Sequence, residues 1–318
     1  MLQLFALQAT RDLGARIATH LGHALAAHEE REFQDGEHKL RPLVDVRGAD
    51  AFVVQSLHGD AHAGAADKLV RLLFFAAALR DHGAARVTAV VPYLAYARKD
   101  RRTQPFDPVT SRYVAQLVEA MHIDRVVAFE VHNVAAFDNA FRMPALHVSS
   151  DAVLAPQAAR LVGDRRAVVA SPDPGGVKRA QLFGETLAKL LGRDCGSAFM
   201  EKRRTGDVLS GTLLVGDVRG AVVVLVDDLI STGTTLVRAA RACVEQGAAG
   251  VIACVAHGLF ARGSAETLHD AALSSLLITD SVVPSTLPAL GERLQVISAA
   301  PLLAQTIATL HGGAAPGP

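Results

Sequence analysis

Residues 221–236, AVVVLVDDLISTGTTL, constrain the fold more than any other part of the chain. The unbroken apolar run 221–226 has the length of one parallel strand buried on both faces. Asp227 and Asp228 end it, and the small residues Ser231, Thr232, Gly233, Thr234 and Thr235 follow. Leu236, Val237, Ala240 and Val244 then recur at helical spacing. The string therefore reads as a βα unit with a polar site at its turn. Backbone N–H groups and the helix dipole suit a phosphate there, and the hydroxyls add donors. The two carboxylates repel phosphate but can accept hydrogen bonds from sugar hydroxyls or share a Mg²⁺. An acidic pair that ends a strand before a Ser or Thr helix cap accounts equally well for the pair alone. The full string is more specific.

The same alternation runs through the rest of the chain. Strands are expected at 2–7, 51–55, 86–91, 125–129, 167–171, 197–200, 222–227, 251–256 and 276–279. Amphipathic helices are expected between them, among others at 67–81, 109–121, 177–191 and 236–246. That order is an α/β fold, mainly parallel sheets covered by helices on both faces. The 318 residues suffice for two domains, and the chain divides near 149/150 into 1–149 and 150–295. The segment at about 296–312 is expected to pack back on the first domain. Lys and Arg (32) balance Asp and Glu (32), which argues against an electrostatic nucleic-acid binder. Cys195, Cys243 and Cys254 show no metal-type spacing, and no apolar stretch reaches membrane-spanning length. With no basic, apolar leader at the start, a cytoplasmic setting is expected.

Four further strings follow expected strand ends. Residues 91–103, VPYLAYARKDRRT, gather Arg98, Lys99, Arg101 and Arg102, with Arg112 nearby. Guanidiniums grip phosphates bidentately, so a nucleoside triphosphate fits, and so does a plain solvated charge run. His132 in FEVHNVAAFDNAFR reads either as a metal or phosphate contact or as a structural histidine. In SPDPGGVKR, Asp173 precedes Gly175 and Gly176 and reads as a Mg²⁺ ligand or as a helix cap with Pro174 in the first turn. In EKRRTGDVLSG, three consecutive cations, Lys202 to Arg204, suit a mobile loop closing over a transferring phosphoryl group, or an exposed hairpin.

Taken in order, VRGADAFVVQS, RVTAVVPYLAYARKDRR, VHNVAAFDNAF, SPDPGGVKRA, MEKRR, GDVRGAVVVLVDDLISTGTT and HGLF resemble the successive motifs of the ribose-phosphate pyrophosphokinase (PRPP synthetase) family. The likeness runs from about residue 2 to 310. It implies two similar phosphoribosyltransferase-like lobes and transfer of the β,γ-diphosphoryl group of ATP to the 1-hydroxyl of ribose 5-phosphate. The products are PRPP and AMP, and Mg²⁺ is the implied cofactor. Carried over to matching positions, Phe33, Asp35 and Glu37 hold the adenine, partly for a neighbouring subunit, which implies a homo-oligomer, a dimer or a hexamer. Gln55 and Arg98 belong to the ATP pocket, and His132 and Asp173 position Mg²⁺. Lys202 and Arg204 stabilise the transition state. Asp227 and Asp228 bind ribose hydroxyls, and Ser231, Thr232, Gly233, Thr234 and Thr235 the 5-phosphate.

Two departures stand out. LHGDAHAGAADK replaces the family's asparagine-rich turn after VVQS, and TQPFDP lacks the basic residue that phosphate-activated members carry. Two other functions stay open: a nucleobase phosphoribosyltransferase, which needs neither MEKRR nor YARKDRR, and a non-catalytic synthetase-associated subunit, which the changed 56–68 region favours.

Overall fold

The apolar, β-rich runs of the sequence become the centres of two sheets. The computed structural model describes residues 1–205, 208–282 and 287–313, without the side chains of 202–205, 208–212 and 287–289. Its contacts divide the chain into two units, one holding Met1–Ser149 and the chain from Ala300 onward, the other Ser150–Ala299.

The first unit runs β1 (Leu2–Ala6), α1 (Arg11–Leu21), β2 (His28–Glu32), β3 (His38–Pro42), β4 (Asp50–Val54) and α2 (Ala65–Asp81). It continues through β5 (Arg86–Val91), α3 (Thr110–Ala120), β6 (Arg125–Phe129), α4 (Val134–Ala140) and β7 (Ala145–Val148). Strands β1, β4, β5, β6 and β7 pair in that order, all parallel, while β2 and β3 form a separate antiparallel hairpin. Alternation sorts the strand residues by face. Phe5, Ala51, Val53, Ala89 and Ala128 share a core with Leu72 and Phe75 of α2, Val114 of α3 and Phe137 of α4. On the other face α1 approaches β1 closely: a Cβ on Gly14 would lie 2.1 Å from that of Ala6.

The second unit holds α5 (Asp151–Val162), β8 (Ala167–Ser171), α6 (Val177–Leu191), β9 (Gly196–Thr205), β10 (Val208–Val215) and β11 (Val222–Ile230). Then follow α7 (Thr234–Glu245), β12 (Gly250–Gly258), α8 (Ser264–Leu268), β13 (Ser275–Thr279) and β14 (Leu294–Ile297). The sheet order is β10-β9-β8-β11-β12-β13-β14, parallel except for the β9–β10 pair. From β8 the chain goes one way, through α6 to β9. From β11 it goes the other way, through α7 to β12. The two helices cover opposite faces: Phe183 and Leu187 of α6 pack with Val169 and Val224, Leu236 and Ala240 of α7 with Val223 and Leu225. The carboxyl ends of β8 and β11 thus flank a topological switch point, where open α/β sheets leave a ligand crevice.

After β14 the chain returns to the first unit as α9 (Ala300–His311), which packs on α1. Its C-terminus is held at the amino edge of the first sheet. His311 Nδ1 lies 2.7 Å from Asp50 Oδ2. Arg86 grips Asp50 with Nε and Nη2 at 2.8 and 2.5 Å and donates to the Leu310 carbonyl at 3.3 Å. Burial raises the Asp50 pKa, but Arg86 and His311 outweigh it and hold the carboxyl below its usual range.

Several elements lie beyond the sequence expectations. Strands β2, β3, β7, β10 and β14 were not expected, and β11 runs on through the acidic pair to Ile230. The strand expected at 197–200 extends to Thr205 and pairs antiparallel with β10, so the segment of Lys202 and Arg204 forms the arm of a hairpin.

Candidate active site

The turn between β11 and α7 lies at the switch point. Gly233 is the N-cap of α7 with φ +82°, a left-handed conformation that favours glycine. A Cβ there would meet Leu268 Cδ2 at 2.7 Å. No side chain caps α7 at this residue, so the Ser or Thr cap is not what forms, and the N–H groups of the first turn stay available to an anion. Thr232 and Thr234 hydroxyls lie 3.2 Å apart beside them. Thr232 and Thr234 are exposed, Ser231 and Thr235 half-buried and Gly233 buried. The segment after β12 fixes the turn from behind: Leu259 and Phe260 donate N–H to the Ile230 carbonyl at 2.9 and 3.3 Å, and Ala261 to that of Ser231 at 2.9 Å.

Asp227 and Asp228 precede this turn. The Asp228 N–H donates to Asp227 Oδ1 at 2.9 Å. Burial, then the neighbouring Asp228 charge, push the Asp227 carboxyl well above its usual pKa. Arg179 of α6 opposes that shift, with Nη1 3.6 Å from Asp228 Oδ1 and 3.9 Å from Asp227 Oδ1. The sequence reading gave Arg179 no role. Its only signal was its place in the helix that opens after Asp173.

Asp173 follows β8 in the same unit. Its Oδ1 accepts from the N–H groups of Gly175 (2.8 Å) and Gly176 (3.2 Å), so the capping reading is realised, with Pro174 at the first turn. Among the described residues no group of three or more His, Cys, Asp and Glu side chains is placed to hold a metal ion.

In the first unit the expected ATP residues lie on two loops and a hairpin. Arg98 is exposed and has no ion-pair partner among the described residues. Lys99 is engaged: its Nζ lies 2.7 Å from Asp107 Oδ2, which also accepts from the Thr103 hydroxyl and the N–H groups of Thr103 and Gln104. These bonds, Lys99 first, hold the Asp107 carboxyl far below its usual pKa. The Asn133 amide donates to Asp100 at 2.6 Å and ties this segment to the turn that carries the exposed His132. Gln55 is buried at the end of β4, with its Oε1 accepting from the Thr10 hydroxyl at 3.2 Å. Phe33, Asp35 and Glu37 form the tip of the β2–β3 hairpin. There Phe33 N–H donates to the Glu37 carbonyl at 2.8 Å and Glu37 N–H to Asp35 Oδ1 at 3.1 Å. The Phe33 ring is exposed, with the Arg31 guanidinium 5.0 Å from its centroid.

On β9, Lys202 stands opposite Thr212 and Arg204 opposite Leu209, with a register shift between Leu209 and Gly211. The side chains of Lys202 and Arg204 lie outside the described residues.

Known proteins resemble this chain in sequence and fold. The profile of the N-terminal domain of ribose phosphate pyrophosphokinase matches residues 2–121, and that of the phosphoribosyl synthetase-associated domain matches residues 208–316. The ribose-phosphate pyrophosphokinase of Caldanaerobacter subterraneus subsp. tengcongensis is 36% identical over 314 residues, 98% of this chain and 95% of that protein. The chloroplastic ribose-phosphate pyrophosphokinase 2 of Arabidopsis thaliana is 35% identical over 98% of this chain and 75% of its own length. The crystal structure of phosphoribosylpyrophosphate synthetase from Mycobacterium smegmatis superposes with a TM-score of 0.88 at 33% identity, covering 98% of this chain and 99% of that one. With such identity along nearly its whole length, and with its α/β units built as the sequence motifs require, the chain belongs to the ribose-phosphate pyrophosphokinase family of enzymes.

Proposed function

We propose that this chain is a ribose-phosphate diphosphokinase that moves the β,γ-diphosphoryl group of ATP to the 1-hydroxyl of ribose 5-phosphate, giving PRPP and AMP. The observation that carries this reading is the β11–α7 turn, where two carboxylates lead into a helix N-terminus left open by Gly233. The N–H groups of α7 and the hydroxyls of Ser231, Thr232, Thr234 and Thr235 receive the 5-phosphate. Asp227 and Asp228 accept from the ribose hydroxyls, while Arg179 keeps part of their charge balanced.

In the first unit Arg98 grips triphosphate oxygens, and Gln55, bonded to Thr10, supports the strand end beside that segment. The exposed Phe33 ring stacks on adenine, with Asp35 and Glu37 supplying acceptors at the hairpin tip. The adenine held this way belongs partly to a neighbouring copy, so the working form is a homo-oligomer, a dimer or a hexamer. No helix among the described residues is long and apolar enough to cross a membrane, and the reading takes the enzyme as cytoplasmic.

His132 and Asp173 are the residues assigned to Mg²⁺. At Asp173 the donor chemistry fits: Oδ1 serves the cap, and Oδ2 would be left as a carboxylate oxygen of the kind a hard cation prefers. Bound there, the ion supplies charge neutralisation on the diphosphate. The 1-hydroxyl attacks the β-phosphorus, the bond between that phosphorus and the α-phosphate oxygen breaks, and AMP leaves with the oxygen. The hydroxyl proton passes to solvent. Lys202 and Arg204 are assigned to the charge that develops on the moving group, and positioning supplies the rest of the rate.

Purified protein with Mg²⁺, ATP and ribose 5-phosphate is expected to form AMP and PRPP one for one. Consumption of PRPP only when a nucleobase is added would make it a transferase instead.

Asp227→Asn carries an expectation of unusual sign. A carboxyl whose pKa is raised in the folded chain costs stability as pH rises from its ordinary value through the raised one. Removing that charge is therefore expected to raise Tm at pH 8 by about 2–4 °C, while ribose 5-phosphate affinity falls at least ~10-fold. A melting curve and a binding titration read the two effects. A lower Tm would contradict the repulsion argued for the pair.

A further inference from the structure

The segment 56–68, where the sequence departs from its family, has no role in the account above. It is built around a buried charge. Lys68 is the fourth residue of α2 and is fully buried. A cation in the first helical turn opposes the helix dipole, and a buried ammonium without a partner is costly. Asp60 answers both. Its Oδ2 lies 2.5 Å from Lys68 Nζ, and its Oδ1 accepts from the N–H groups of His62 (2.7 Å) and Ala63 (2.9 Å). Burial raises the carboxyl's pKa, but Lys68 and the two N–H groups outweigh it and hold it at about 2. One side chain therefore folds the loop on itself and pins it to α2.

The pinned loop is in turn bonded to its neighbours. Gln55, Ser56, Leu57 and His58 are all buried. His58 Nδ1 lies 3.2 Å from Ser56 Oγ, and its Nε2 faces Asp60 Oδ2 at 3.9 Å. Ser56 N–H donates to the Thr10 hydroxyl at 2.8 Å. Leu57 N–H donates to the Tyr93 carbonyl at 2.9 Å, at the start of the segment that carries Arg98.

We propose that the Asp60–Lys68 pair, in which the exposed Asp60 carboxylate answers the buried Lys68 ammonium, is a positioning device for ATP, fixing the 93–98 segment through the Leu57–Tyr93 hydrogen bond. This rests on the reading that Arg98 takes the triphosphate. The pair touches no reacting atom in this account. It sets where the phosphate-binding segment starts.

The test uses the full chain with Asp60→Asn, Lys68→Met and both together. ATP affinity is titrated without ribose 5-phosphate, and Tm and both KM values are measured. Each single variant is expected to weaken ATP binding by about 10- to 100-fold, with the KM for ribose 5-phosphate within about twofold of wild type. The double variant, with no unpaired buried charge, is expected to regain the wild-type Tm yet keep the weak ATP binding. If the double variant regains ATP affinity together with Tm, the pair is structural only and the proposal falls. It falls equally if both substrates lose affinity alike. Should the single variants fail to fold, the double variant alone decides. Wild-type protein that binds no ATP would sink the ATP reading and the proposal with it, whereas variants that bind ATP as wild type does would sink the proposal alone.

Discussion

Lys202→Ala and Arg204→Ala are each expected to lower kcat for PRPP formation by about 10³-fold, with both KM values within about threefold of wild type. A diphosphoryl group in transfer spreads negative charge over its oxygens, so cations that act only at that moment change kcat and leave ground-state binding nearly untouched. The two residues stand on β9, paired across the hairpin with Thr212 and Leu209, with a register shift between Leu209 and Gly211. Two cations acting on one charge do not add independently, so the double variant is expected to fall well short of the product of the two single losses. Rapid-quench measurement of AMP formation separates the chemical step from product release. A large rise in either KM with kcat preserved would assign Lys202 and Arg204 to substrate binding instead.

Gly233→Ala is expected to raise the KM for ribose 5-phosphate at least ~10-fold while ATP affinity stays at the wild-type value. Two costs coincide at this position. A residue with a Cβ at φ +82° is strained by roughly 1–2 kcal/mol, and that Cβ would sit 2.7 Å from Leu268 Cδ2. Where the buried Leu268 side chain does not give way, the turn must move away from α8, which would carry the first N–H groups of α7 off the position proposed for the phosphate. Leu268→Ala in the same chain removes the clash but not the strain, so partial recovery is expected. Steady-state kinetics of the three variants check this, and an unchanged KM for ribose 5-phosphate in Gly233→Ala would detach the turn from phosphate binding.

The β11–α7 unit was legible because three local signals agreed: an unbroken apolar run, an acidic stop and a turn of small residues. The hairpin of β2 and β3 was not, because HEERE and HKLRP are mostly charged and carry no apolar alternation. Strand β10, VLSGTLLV, is interrupted by Ser210 and Gly211, and β14 is only four residues long, so neither gives a periodic signal. Arg179 escaped notice for a different reason. Its distance to Asp227 and Asp228 comes from the adjacency of β8 and β11, which no local string encodes. The Asp60–Lys68 pair joins residues only eight apart, yet the sequence shows an unexceptional polar loop, because the burial of Lys68 that makes the pair matter is tertiary. Of the two readings of Asp173, the structure shows the helix cap. That cap was legible because an Asp before Pro-Gly-Gly is a local signal for a helix start.

The most direct test of diphosphoryl transfer follows the label from ATP marked at its γ-phosphorus, in the presence of Mg²⁺ and ribose 5-phosphate. The account predicts that the label appears in the terminal phosphate of PRPP, with one AMP formed per PRPP and no ADP. Label released as inorganic phosphate, or ADP in place of AMP, would contradict it.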